Sequence, residues 1–150
     1  MNDIQEILNK LLDKWSQDTL NEMLRRIDSQ DIKWRGILRR SLMYEITKDG
    51  VEFLMADYGR FIDDGTGIFG PRKQRIPKSS IPGMAYHLKA WASSKNLNPW
   101  AVATKIQQRG GVRAKPFFKS VIEQRLQTQQ AEIQQGLQDY ITQRIQNAVK

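Results

Sequence analysis

The stretch YGRFIDDGTGIFG, residues Tyr58–Gly70, decides how the rest of the chain is arranged. Tyr58, Phe61 and Ile62 recur at helical spacing, which predicts one short amphipathic helical turn. Two aspartates then meet the glycine-rich segment 65–67, and glycines at this density indicate a sharp change of chain direction. We therefore predict that this stretch is a junction, with a helix and a hairpin before it and a basic loop and three helices after it.

The composition predicts one folded domain over residues 1–150, with a thin core and a polar surface. Hydrophobic residues make up 39% of the 150 residues, and the mean hydropathy is −0.61. No apolar run approaches the ~18 residues that a membrane span needs, and no signal peptide is recognisable. We expect a soluble protein that is made in a cytoplasm and contacts no membrane.

The charge and the missing cysteines limit the function classes. The absence of cysteine excludes disulfides, thiolate metal sites and cysteine nucleophiles. The net charge of +8, from 24 Lys and Arg against 16 Asp and Glu, favours acidic partners, with nucleic acid first among them.

Before the junction, two elements are predicted. Apolar residues repeat at helical spacing over residues 3–28, which predicts an amphipathic helix. Residues 37–57 read as a β-hairpin, because Lys48-Asp49-Gly50 stands between two apolar runs. A two-stranded hairpin is marginal alone, so we expect it to lie against the first helix or to join a larger sheet.

After the junction comes a long loop over residues 66–81, with four cations and no acid. Loops of this length are uncommon unless they are functional or disordered. Two interpretations remain open: a basic finger that reaches a neighbouring protein or a phosphate backbone, and a mobile loop that is merely solvated. The four cations are Arg72, Lys73, Arg75 and Lys78.

Three helices are predicted beyond the loop. Pro82 is well placed as the first residue of a helix that ends near Ser94, and Asn98-Pro99 opens a second helix, so the two form an αα-hairpin. Pro116 can start a last helix that runs to the C-terminus, ~50 Å long for about 33 residues. Either Gly136 breaks this helix, or its apolar stripe packs on another subunit. The part from about 126 to 150 is predicted to be a helical extension.

No group of residues predicts catalysis, a cofactor or a metal. The pair Asp63-Asp64 is the only candidate for acid–base or metal chemistry, and no third ligand stands at suitable spacing. We expect Asp64 to stabilise a structural turn with Gly65, Thr66 and Gly67. The glycine spacing lacks the lysine of a nucleotide-binding loop, and the lone His87 is interpreted as structural.

A second basic cluster follows the αα-hairpin. It could join the cations of loop 66–81 in one phosphate-facing patch, if the fold brings the two clusters together. Its members are Arg109, Arg113 and Lys115.

Two motifs, in this order and spacing, resemble a known family. They are Asp63-Asp64-Gly65-Thr66-Gly67 after a hairpin and a tyrosine-bearing turn, and Gly111-Val112-Arg113-Ala114-Lys115-Pro116-Phe117-Phe118 before a long last helix. Over residues 34–125, and with the first helix, the chain resembles the neck or tail-completion proteins of tailed bacteriophages, which join head to tail. The family commonly has Glu-Phe-Gly-Thr at the first motif, where this chain has an acid, Asp64, in place of the aromatic residue.

The resemblance implies a non-catalytic α+β subunit of the virion neck that assembles in the host bacterial cytoplasm. It implies a ring, with six copies favoured and twelve possible, between the portal or head-completion connector and the tail terminator or tail tube. The ring would surround the DNA channel and could touch packaged DNA without sequence specificity. Contacts with neighbouring subunits or rings are expected from aromatic and arginine residues near the junction: Tyr58, Phe61, Phe69, Arg72 and Phe117.

Two other hypotheses remain open. The charge and the two basic clusters also suit a small basic nucleic-acid-binding protein. The third hypothesis, an enzyme that uses Asp63 or Asp64 on a phosphoester, has the least support from the residues.

Overall fold

The computed structural model describes residues 2–30, 32 and 35–149. Two long helices, α1 (Asn2–Ser29) and α6 (Lys119–Val149), pack against each other. The elements between them are α2 (Arg35–Ser41), β1 (Met43–Thr47), β2 (Gly50–Leu54), α3 (Gly59–Asp64), α4 (Ile81–Ser94) and α5 (Pro99–Gln108). Short 3₁₀ turns lie at Gly67–Phe69 and Lys78–Ser80. The predicted α+β class, with a hairpin, a first helix and a long last helix, is confirmed.

Helix α1 matches the helix predicted over residues 3–28 and supplies one wall of the core. Trp15, Met23 and Ile27 of its apolar stripe are buried. The hydroxyl groups of Ser16 and Thr19 are also buried, and each donates a 2.7 Å hydrogen bond to the backbone carbonyl four residues earlier. Both hydroxyls are therefore satisfied within the helix, so their burial leaves no unpaired polar group.

The hairpin is shorter than predicted, because residues 37–41 belong to helix α2. Leu38 and Leu42 lie four residues apart and are both buried, and the Leu42 amide donates to the Leu38 carbonyl at 3.2 Å, which is the bond of a helical turn. The strands pair Met43 with Leu54 and Thr47 with Gly50, which leaves Lys48-Asp49 as the connection.

The hairpin lies against α1, as one of the two predicted arrangements requires. The Phe53 ring packs edge-on against Trp15 with a centroid distance of 6.2 Å. The Tyr44 hydroxyl donates a 2.7 Å hydrogen bond to Asp13. These contacts cover one face of the hairpin and leave the other face to solvent.

Helices α4 and α5 form the predicted αα-hairpin. The Asn98 side chain caps α5 by accepting a 2.9 Å hydrogen bond from the Trp100 amide. Trp91, Ala92 and Ala103 bury the contact between the two helices. The pair stacks beside the junction and forms one side of the site described below.

Helix α6 begins at Lys119 rather than at Pro116 and continues unbroken through Gly136, so the predicted break does not occur. Helix α1 runs antiparallel to α6. The Trp15 indole donates to the Arg125 carbonyl at 3.2 Å, and farther along both helices Arg144 forms an ion pair with Asp3 at 3.1 Å. The helices come close together at Gly136, where a Cβ would lie 2.3 Å from Leu11 Cδ2.

The apolar stripe of α6 is thus covered in part by the chain's own first helix. Four apolar residues of α6 remain exposed, three of them near the C-terminus: Leu126, Ile141, Ile145 and Val149. None of the helices within the described ranges has a stretch both long and apolar enough to cross a membrane.

Candidate functional site

The two sequence motifs meet backbone to backbone at the junction, which is defined here as residues 62–68 together with residues 110–119. The Thr66 amide donates to the Val112 carbonyl at 2.9 Å, and the Ile68 amide donates to the Gly110 carbonyl at 2.9 Å. The Val112 amide donates in return to Thr66 Oγ1 at 2.8 Å. These bonds fix the glycine turn against the segment that leads into α6.

The close approach of these two segments explains the glycine at position 67. Gly67 has a φ of +64°, and a Cβ there would lie 2.0 Å from the Gly110 carbonyl oxygen. A side chain at this position would force the two backbones apart, so the turn admits only glycine.

Asp63 is the residue that ties the junction to helix α6. Its side chain is 5% exposed. It accepts hydrogen bonds from the amides of Phe117, Phe118 and Lys119 at 2.8, 2.9 and 3.2 Å. A carboxylate in this position satisfies amides that have no partner inside the helix and complements the positive end of the helix dipole.

The sequence interpretation assigned the structural role to Asp64, and this is corrected. Asp64 forms an ion pair with Lys119 at 2.9 Å, with the lysine exposed to solvent. The hydrogen bond with Asp64 raises the pKa of Lys119. The turn at Gly65 is held instead by backbone bonds, among them the Gly65 amide to the Phe61 carbonyl at 2.9 Å.

An open cleft of about 450 Å³ lies beside the junction, between α3, the loop 70–77 and helices α4 and α5. The loop is held to α5 by the Gln107 side-chain amide, which donates to the Ile76 carbonyl at 3.0 Å. We call this space the basic cleft, because Arg72 and Arg75 line it and, among the residues that the structure describes, no acidic one does. Its apolar lining includes Phe61, Ile62, Met84, Leu88, Ile106 and Val112.

The aromatic and arginine residues predicted to contact neighbours divide into two groups. Tyr58 and Phe117 are 4% and 0% exposed, so they belong to the core of the protomer and are not available to a neighbouring subunit in this conformation. Phe61 and Phe69 are half-buried, and Arg72 is exposed at the cleft. The guanidinium of Arg113 lies 5.0 Å from the centre of the Phe69 ring.

The cations of loop 66–81 are exposed, and none of their side chains forms an ion pair with any residue that the structure describes. These are Arg72, Lys73, Arg75 and Lys78. The fold also places the backbone of this loop against residues 107–113, which carry Arg109 and Arg113. Lys115, the third cation of the second cluster, is half-buried. The two basic segments are therefore neighbours.

Two polar groups near the cleft lack a hydrogen-bond partner among the described residues. The Tyr58 hydroxyl is buried without a partner, and burial raises its pKa to about 12. The imidazole Nδ1 of His87 is likewise unpartnered, and it lies 3.8 Å from an Asp57 carboxylate oxygen. Within the part of the chain that the structure describes, no three His, Cys, Asp or Glu side chains could hold a metal ion together.

Comparison of the chain with protein-family models, with curated proteins and with solved structures finds no match.

Proposed function

We propose that this chain is a structural subunit of a tailed-bacteriophage virion, a head–tail connector of the neck or tail-completion kind. In this proposal, copies form a ring that joins the portal or head-completion complex to the tail terminator or tail tube and encloses the DNA channel. The observation that carries the proposal is the direct pairing of Thr66 with Val112 at the junction. The two motifs on which the resemblance rests form one structural unit, although 46 residues separate these partners.

The uncovered apolar surface supports an assembly. The C-terminal half of α6 exposes Ile141, Ile145 and Val149, and the hairpin exposes Met43 and Leu54. Exposed apolar patches commonly mark contacts with other proteins. A ring in which each copy meets the next through different faces can cover such a patch in every copy.

Electron microscopy of the purified protein tests the proposal. We expect negatively stained particles to be rings of uniform diameter with a central opening wide enough for duplex DNA. Particles without a central opening, or filaments of variable length, would overturn it.

A second function, binding to nucleic acid, is favoured by the four exposed cations of loop 66–81, none of which has an ion-pair partner in the described part of the chain. A protein with this function should bind duplex DNA with an affinity that falls steeply as salt rises, because each neutralised phosphate releases counterions. Replacing Arg72, Lys73 and Arg75 together by Ala should then flatten the salt dependence.

The matched control for this test removes three cations elsewhere, by replacing Lys10, Lys14 and Lys48 by Ala. A connector is expected to bind DNA weakly and to keep its assembly in both triple variants. Tight binding that only the loop variant loses would favour the nucleic-acid-binding protein.

A further inference from the structure

The hairpin has an outer face that combines apolar and acidic side chains. Met43 lies opposite Leu54, and Glu45 lies opposite Glu52 in the antiparallel register. Met43 and Leu54 are 51% and 40% exposed, and both glutamates are exposed. We call these four residues the acidic hairpin face.

The glutamates of this face are unneutralised in the protomer. Like charges directly opposite each other on neighbouring strands are destabilising. Neither Glu45 nor Glu52 forms an ion pair with a residue inside the described ranges. A partner that brings cations to this face would remove the repulsion.

The basic cleft has the opposite character. It has an apolar interior that can accept a side chain such as methionine or leucine, and it is lined by Arg72 and Arg75 but by no acidic residue within the described ranges. No residue of the hairpin lines the cleft of its own chain, so the two surfaces are separate. The two surfaces therefore match in both hydrophobicity and charge.

We propose that the acidic hairpin face of one copy docks into the basic cleft of the next copy. This inference rests on the proposed ring and names the surfaces that join its subunits. A contact between two different faces repeats from copy to copy, so it can close a ring. Pairing of Glu45 and Glu52 with Arg72 and Arg75 supplies the orientation, since charge complementarity mainly governs specificity.

Disulfide cross-linking tests the contact, because the chain has no cysteine of its own. The probe is the double variant Met43→Cys with Gln74→Cys, which places one thiol on each surface and keeps all four charges. After oxidation of the concentrated protein, we expect a ladder of linked chains on a non-reducing gel. Each single-cysteine variant should give dimers at most.

Charge reversal in the same double-cysteine background identifies the ion pairs. Glu52→Lys or Arg75→Glu alone should lower the yield of linked chains by about tenfold, and the two together should restore most of it. The matched control, Asp18→Lys on the exposed side of α1, should leave the yield unchanged. A single cooperative urea transition in every variant would show that the protomer stays folded.

The outcomes separate this contact from the ring itself. Rings in the microscope without a ladder would overturn the docking and leave the ring in place. Dimers alone from the double variant would show a reciprocal contact and overturn the head-to-tail arrangement. A disulfide that forms only within single chains would also overturn the head-to-tail arrangement. The absence of both the ladder and the rings would overturn both proposals.

Discussion

At the scale of single residues, one buried carboxylate joins distant parts of the chain. Asp63 lies in the last turn of helix α3 and accepts three amide hydrogen bonds at the start of α6, from residues 54 to 56 positions later. Buried amides that lose such a partner keep their full cost of desolvation. Asp63 should therefore matter far more for folding than its neighbour Asp64, whose ion-pair partner is exposed.

We expect Asp63→Ala to lower the free energy of unfolding by about 2–4 kcal/mol, because it removes a charged cap and leaves buried amides unpaired. The measurement is urea-induced unfolding followed by circular dichroism. The matched control is Asp64→Asn, which should change the unfolding midpoint little. Equal effects of the two substitutions would contradict the assigned role of Asp63.

Tyr58 gives an expected pH dependence. Burial favours the neutral phenol and raises its pKa to about 12, whereas an unfolded tyrosine titrates near 10. The contribution of Tyr58 to the free energy of unfolding is therefore fully present below about pH 10. It is lost as the pH rises toward 12, and the total loss is about 2–3 kcal/mol.

Tyr58→Phe should remove this part of the alkaline loss of stability. It should cost little at pH 7, because the buried hydroxyl has no hydrogen-bond partner among the described residues. Urea unfolding at pH 7, 10 and 11 compares the two proteins. A parallel loss of stability in the variant and the wild type would refute the account of Tyr58.

Residues with local partners were predictable and those with distant partners were not. Asn98 could be recognised as the start of helix α5, because the amide that its side chain binds is only two residues away. Asp63 was missed because nothing in its own neighbourhood distinguishes it from Asp64. The roles of the two aspartates differ only because the fold brings the amides of residues 117–119 beside Asp63.

At the scale of elements, the docking of the glycine turn onto residues 110–112 holds the junction together. Gly67→Ala would bring a Cβ to 2.0 Å from the Gly110 carbonyl oxygen and would strain a positive φ. We expect a loss of at least about 2 kcal/mol of stability, since the turn must shift and weaken its hydrogen bonds.

The matched control is Gly83→Ala in helix α4, where a Cβ meets nothing within 4 Å. Alanine is the better helix former, so this variant should keep or slightly gain stability. Thermal unfolding of both variants checks the comparison. A Gly67→Ala protein as stable as Gly83→Ala would show that the turn does not need its close contact.

Helical periodicity predicted α1, α4 and α5 well, because each keeps one apolar stripe between clear end signals. Periodicity gave the wrong structure for residues 37–41, which were predicted as strand and form part of helix α2. No Gly, Pro or other helix-ending residue separates this short helix from strand β1. Periodicity also left the continuity of α6 open at Gly136. That question depends on Leu11, a residue of the first helix that only the tertiary structure brings to the glycine.

At the scale of the whole molecule, the chain has a net charge of +8 and exposes apolar side chains on the hairpin and on helix α6. The α+β class could be predicted from the sequence, but the basic cleft could not. The cleft forms only when the loop 70–77 lies against α5, and its walls come from segments scattered between residues 58 and 112.

The native mass of the purified protein, measured by light scattering at low and high salt, tests the ring most directly. For chains of 17.4 kDa, we expect about 104 kDa for six copies or about 209 kDa for twelve, with a single sharp mass. High salt should reduce the fraction assembled, because ion pairs at subunit contacts are screened. A mass of one chain at every concentration and at both salt levels would contradict the ring.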